Sequence, residues 1–80
     1  MAKYKFTDYF EKEVLLKRPY LKKDWCVRVL QNPVRAERQG PNRHRFWGEI
    51  AELDGRFLRV VTLEDLVTIH NAFPDRRFKP

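Results

Sequence analysis

Arg45, Trp47 and Glu49 alternate along one short stretch of this chain, and Arg59, Thr68 and His70 follow in two later runs of strand-like composition. Brought to one face of a sheet, they would set guanidinium groups, an indole, a carboxylate and an imidazole side by side. The His70 imidazole is the near-neutral acid or base of such a set. Glu49 can take a proton, and Arg59 can hold negative charge developing on a phosphate. Arginine also grips phosphate bidentately, and a Trp ring can stack on an unpaired base. His70, Arg59 and Glu49 are therefore the candidate catalytic residues for a metal-independent cleavage that uses the RNA 2′-hydroxyl. Arg43, Arg45, Trp47, Arg76 and Arg77 are the candidate nucleic-acid-binding residues. The plainer alternative is a solvated face with Glu49 and Arg59 as a weak surface pair. In that case Trp47 packs under the N-terminal segment or against a partner, and Phe73 and Phe78 anchor a tail whose arginines stay in water.

Two helices and a short meander must position these groups. Thr7 can cap a helix over residues 7–18, with Asp8 and Glu11 in its first turn, where the dipole favours negative charge. Tyr9, Phe10, Val14 and Leu15 to Leu16 form its apolar stripe, and Pro19 stops it. A second helix spans residues 22–31, with Leu21, Trp25, Cys26, Val29 and Leu30 on one side, and Asn32-Pro33 ends it. Strands are predicted over 34–39, 43–52, 57–62 and 67–72, followed by a basic tail over 74–80. The expected architecture is one α+β domain, with two N-terminal helices packed on one face of a small, mainly antiparallel three- to four-stranded sheet.

The faces follow from the register. A three-residue loop at Leu53-Asp54-Gly55, with Gly55 left-handed, sets Ile50 opposite Leu58, Gly48 opposite Val60 and Phe46 opposite Thr62. It also sets Glu49 opposite Arg59, an oppositely charged cross-strand pair. A loop over 63–66 then pairs Thr62 with Val67 and Arg59 with His70. One face becomes Phe46, Ile50, Leu58, Val60, Val67 and Ile69, which is a core. The other collects Arg45, Trp47, Glu49, Arg59, Thr68 and His70.

Composition limits the function classes. Seventeen Lys and Arg against eleven Asp and Glu give a formal charge of +6, which favours an anionic partner, nucleic acid or an acidic protein. The single cysteine, Cys26, excludes an internal disulfide and fits a reducing, cytoplasmic setting. Two separated histidines and that cysteine lack metal-ligand spacing, so neither a metal nor another cofactor is expected. The three glycines form no phosphate-binding loop, and the absence of serine removes a serine nucleophile. No apolar run is long enough to span a membrane.

The chain resembles the RelE/BrnT-like superfamily of small basic toxins and its uncharacterised relatives. The residues that carry the resemblance are Lys17-Arg18-Pro19-Tyr20-Leu21, the second helix from Trp25 to Pro33, and Phe46-Trp47-Gly48. Leu58-Arg59-Val60-Val61-Thr62 and Thr68-Ile69-His70-Asn71-Ala72-Phe73 complete the set. The resemblance implies RNA cleavage, often on translating ribosomes, with an acidic antitoxin masking the active face and with Arg45, Arg59 and His70 as the working residues. The expected function is an RNA-binding protein or endoribonuclease, with RNA or the ribosome and an acidic antitoxin-like protein as partners. The alternative is a non-catalytic interaction module for an acidic protein.

Overall fold

The computed structural model describes residues 4–80. Its strands are β1 (Lys5–Phe6), β2 (Arg35–Arg38), β3 (Arg43–Ile50), β4 (Arg56–Leu63) and β5 (Thr68–Pro74), in the order β1-β5-β4-β3-β2. A π-helical segment, Phe10–Val14, runs into the α-helical turn α1 (Leu15–Lys17), and α2 covers Lys23–Gln31. Strands take 38% of the described residues and helices 29%, so the sheet carries the fold.

This corrects the expected fold class. The sheet has five strands and is mixed, because β1 pairs in parallel with β5, Lys5 with Thr68 and Phe6 with Ile69. A two-residue strand carries no alternation, and a parallel pairing between chain ends leaves no hairpin signature. The helical layer is two short helices, residues 8–17, with a π-helical stretch at Phe10–Val14, and Lys23–Gln31.

The Thr7 hydroxyl accepts the Phe10 backbone N–H at 3.1 Å and so caps the first helix. Phe10 and Val14 point inward, while Tyr9 and Leu16 stay exposed. In α2, Trp25, Cys26 and Val29 face the sheet. They close on β3 where Gly48 has no side chain: a Cβ there would lie 3.0 Å from Val29 Cγ2. Ile50, Leu58, Val60, Ile69 and Ala72 complete this core. Each fully buried Leu, Ile or Phe contributes about 1.5–3 kcal/mol relative to exposure.

Both predicted registers are corrected. Ile50 pairs with Arg56, Gly48 with Leu58 and Phe46 with Val60, two residues from the expected alignment. The connection is a 3-10 turn, Ala51–Leu53, followed by Asp54 and Gly55 at φ 57° and 74°. Leu53 is not the loop tip but a core residue, and burying it draws the extra residues into the turn. An even shift preserves the faces, so Phe46, Ile50, Leu58 and Val60 still point to the helices.

Between β4 and β5 the expected Thr62–Val67 and Arg59–His70 pairs do not form. Thr62 pairs with Ile69, Val61 with Asn71 and Arg59 with Phe73, across a bulge at Val61/Thr62. The turn is longer than expected because the Asp65 carboxylate accepts the Val67 and Thr68 N–H groups at 3.0 and 2.8 Å and the Thr68 hydroxyl as well. The Thr68 hydroxyl bond leads the effects that hold that carboxyl below its ordinary range. Ile69 stays in the core but now lies opposite Thr62, where Val67 was expected, and Ala72 takes the place opposite Val60. Among the described residues, no helix is long and apolar enough to cross a membrane.

Candidate functional site

The sheet face away from the helices brings Arg45, Trp47 and Arg59 together. On β2, Arg35 lies opposite Trp47 and Glu37 opposite Arg45. On β3 and β4, Trp47 lies opposite Arg59 and Glu49 opposite Phe57. Phe73 follows on β5 beside Arg59. This face is not a flat solvated surface, because the chain after β5 returns across it.

Asp75 starts the return. Its backbone N–H donates to the Phe57 carbonyl at 2.9 Å, and its carboxylate accepts the Trp47 indole N–H at 2.9 Å. Phe78 then lies on Trp47, with ring centroids 4.8 Å apart and planes within 13°, and meets Phe57 at 5.1 Å. Trp47 is left 5% exposed. Burial alone would raise the Asp75 carboxyl. The Trp47 bond, the Arg77 and Phe78 N–H groups and the Arg59 charge outweigh it and hold the carboxyl low.

Arginines fill the rest of this second core. The Arg59 guanidinium lies 5.6 Å from the Trp47 centroid and 5.3 Å from that of Phe73. It donates to the Gln39 side-chain oxygen and stands 3.9 Å from the Asp75 carboxylate. Its side chain is 22% exposed, and its Nε is buried with no partner among the described residues. Arg45 lies 5.4 Å from the Trp47 centroid and donates through Nε and Nη2 to one Glu37 oxygen, at 3.1 and 2.7 Å. Arg35 stands over Phe78 at 5.2 Å, and Arg18 over Phe73 at 5.7 Å. Such contacts bury the arginine stems while leaving some charge available.

A shallow cleft of about 370 Å³ opens between β2 and the returning tail, lined by Arg35, Glu37, Arg45, Trp47, Asp75, Arg77, Phe78 and Lys79. Cations outnumber acids along it. Arg76 and Arg77 are exposed on the tail, and Arg43 lies at the start of β3 with Nη1 3.2 Å from the Asn42 carbonyl.

The three candidate catalytic residues are not brought together. Glu49 is exposed opposite Phe57 and lines a separate cleft of about 270 Å³ with Arg28, Gln31 and Asn32 at the end of α2. Arg59 is committed to its two rings, Gln39 and Asp75. His70 sits at the β5 bulge, its Nδ1 3.1 Å from the Thr7 hydroxyl and its ring stacked on Tyr9 at 4.8 Å. The strand register puts Glu49 about four residues along the sheet from His70 and two strands away, roughly 15 Å. The imidazole is pushed below its ordinary value by burial and then by the Arg43 charge, so it is neutral at pH 7. The Thr7 oxygen accepts the Phe10 N–H and still has a lone pair and a proton to offer, so its contact with Nδ1 serves either imidazole tautomer. Thr68, expected beside these groups, is bound to Asp65 in the turn.

Asp75, Phe78, Arg35, Glu37, Gln39 and Lys79 are absent from the sequence-based candidate set. Alternation in β2 carried a signal for Arg35 and Glu37, and Phe78 was expected only as an anchor of the tail, the place it takes on Trp47 and Phe57. Cys26 is fully buried and its thiol is pushed up to about 12 by burial, so it is inert as a nucleophile. Among the described residues, no three His, Cys, Asp or Glu side chains gather where they could hold a metal ion. No protein-family model, no curated protein and no solved structure matches the chain. What the site does has to be inferred from its own geometry.

Proposed function

We propose that the protein binds the backbone of single-stranded RNA along the cleft between β2 and the tail, and holds it without cutting it. The observation that carries this is the set of Arg35, Arg45, Arg77 and Lys79 around one shallow, open groove. Guanidinium and ammonium groups at the rim of an open groove suit successive phosphates, which carry most of the affinity in such complexes. The groove is shallow and open to solvent, as a strand needs and an enclosed small-molecule pocket is not. Separation of Glu49, Arg59 and His70 argues for holding over cleavage, because acid–base catalysis needs both groups within reach of the same bond. An RNA-directed role also agrees with the RelE/BrnT-like resemblance.

Fluorescence anisotropy with a labelled oligouridylate tests this. Log affinity should fall with log salt with a slope of about −2 to −3, since each neutralised phosphate of a single strand contributes about −0.7. Arg35→Ala combined with Lys79→Ala should flatten that slope by about 1.4. The proposal fails if no binding is seen at low salt. It also fails if polyglutamate displaces the RNA and itself binds more tightly, which would mark the groove as a site for an acidic protein.

A further inference from the structure

The stack of Phe78 on Trp47 has the geometry that an unpaired base would take on the same indole. The planes lie within 13° at 4.8 Å, a near-parallel arrangement and not the edge-on contact common between packed aromatic side chains. The residues around Phe78 hold it lightly. Arg76, Arg77, Lys79 and Pro80 are exposed, and Phe78 is itself only partly buried. Its backbone N–H reaches the Asp75 carbonyl at a long 3.4 Å, and its ring touches Trp47, Phe57 and the Arg35 guanidinium. The upstream anchor is separate: the Asp75 bonds to Phe57 and Trp47 use no atom of the Phe78 ring.

Resting on the RNA-binding reading above, we propose that the outer face of Trp47 is a nucleobase site, filled in the free protein by Phe78, which an unpaired base displaces. Three features of the site support this. The slot accepts a flat six-membered ring, because it already holds one. Its rim carries Arg35, Arg45, Arg77 and Lys79, so a base placed there has cations beside its flanking phosphates, and Phe78 uses none of that charge except the Arg35 face. Residues 76–80 can leave without breaking a strand, since β5 ends at Pro74 and the last bond across to β4 is that of the Asp75 N–H to Phe57. Phe78 then acts as an internal competitor, and the apparent affinity for RNA is lowered by the fraction of molecules in which the slot is closed.

The test compares the wild type with Phe78→Ala and Phe78→Leu, against oligouridylate and against an abasic phosphodiester oligomer of equal length. Phe78→Ala should bind oligouridylate roughly fivefold to tenfold more tightly, because the closed fraction is gone. Its affinity for the abasic oligomer should stay within about twofold, since all cations remain. Phe78→Leu, which still covers the indole, should stay near the wild type. In the wild type, the Trp47 indole N–H resonance should move on adding oligouridylate and stay put with the abasic oligomer. The Trp25 signal, in the other core, reports any general unfolding. That titration decides the matter alone if Phe78→Ala does not fold. Equal oligouridylate affinity for the wild type and Phe78→Ala, or an unmoved Trp47 resonance in bound protein, overturns the base site and leaves the phosphate groove standing. Loss of binding to both oligomers by every variant overturns the RNA reading itself.

Discussion

The two faces of this sheet bury their aromatic rings by different means. The helix-side face is dry: Phe10, Val14, Trp25, Cys26, Val29, Leu58, Val60 and Ile69 pack with no charged group among them. The other face buries Trp47 and Val61 under arginine stems, one carboxylate and a six-residue tail. A core closed by helices must be broken open to admit anything. A core closed by guanidinium groups and one Phe ring can exchange its cover for a ligand of the same chemistry. That contrast is why the binding site is placed on the tail side and not in the cleft at the end of α2, where Arg28 is already held by Glu52 at 2.7 Å and Asp24 at 3.3 Å.

The largest effect that can break this comparison is on the dry face. Leu58→Ala should cost about 3–4 kcal/mol in urea unfolding and leave the affinity of the remaining folded protein for RNA unchanged. If it changed that affinity strongly, the two faces would not be independent. Next comes Arg59→Ala, expected to cost about 2–3 kcal/mol, because it strips the packing between Trp47 and Phe73 and leaves the Asp75 carboxylate without its cation. A cost under about 0.5 kcal/mol would mark Arg59 as an ordinary surface residue. It would also restore it as a candidate for direct work on a ligand.

The smallest effect concerns His70. Its folded-state pKa lies below the ordinary value of 6.5, so near and below that pH the unfolded chain binds a proton that the folded chain does not. Stability from this group is therefore fully present above 6.5 and is lost as pH falls toward the folded pKa. His70→Gln should remove that part of the pH dependence between neutral and mildly acidic buffer, measured as the difference between wild-type and variant unfolding midpoints. A variant with an unchanged pH profile would contradict it.

Much of the dry face was legible from the chain. Phe46, Ile50, Leu58 and Val60 alternate strongly enough that a register shift of two residues did not move them. The register was hidden, because Leu53 reads as a loop residue until the 3-10 turn shows it turned inward. The longer Asp65 turn and the bulge at Val61/Thr62 left no mark either, and together they part His70 from Arg59. On the other face the residue types were legible but their surroundings were not. Trp47 and Arg59 stand in alternation with core residues and so were expected in the open. Trp47 is buried by Phe78, some thirty positions on, and Arg59 by Trp47, Phe73 and Asp75; no periodicity links these residues. Parallel pairing of β1 with β5 escaped for the same reason: two residues hold no pattern.

Amide-resolved NMR during titration with a single-stranded RNA oligomer most directly tests whether the tail side of the sheet is the binding face. The account predicts shifts confined to β2, the Trp47 indole and residues 75–80, with α2 and the Leu58, Val60 and Ile69 amides undisturbed. Shifts centred on α2 or the cleft beside Glu49, with β2 and the tail unmoved, would contradict it.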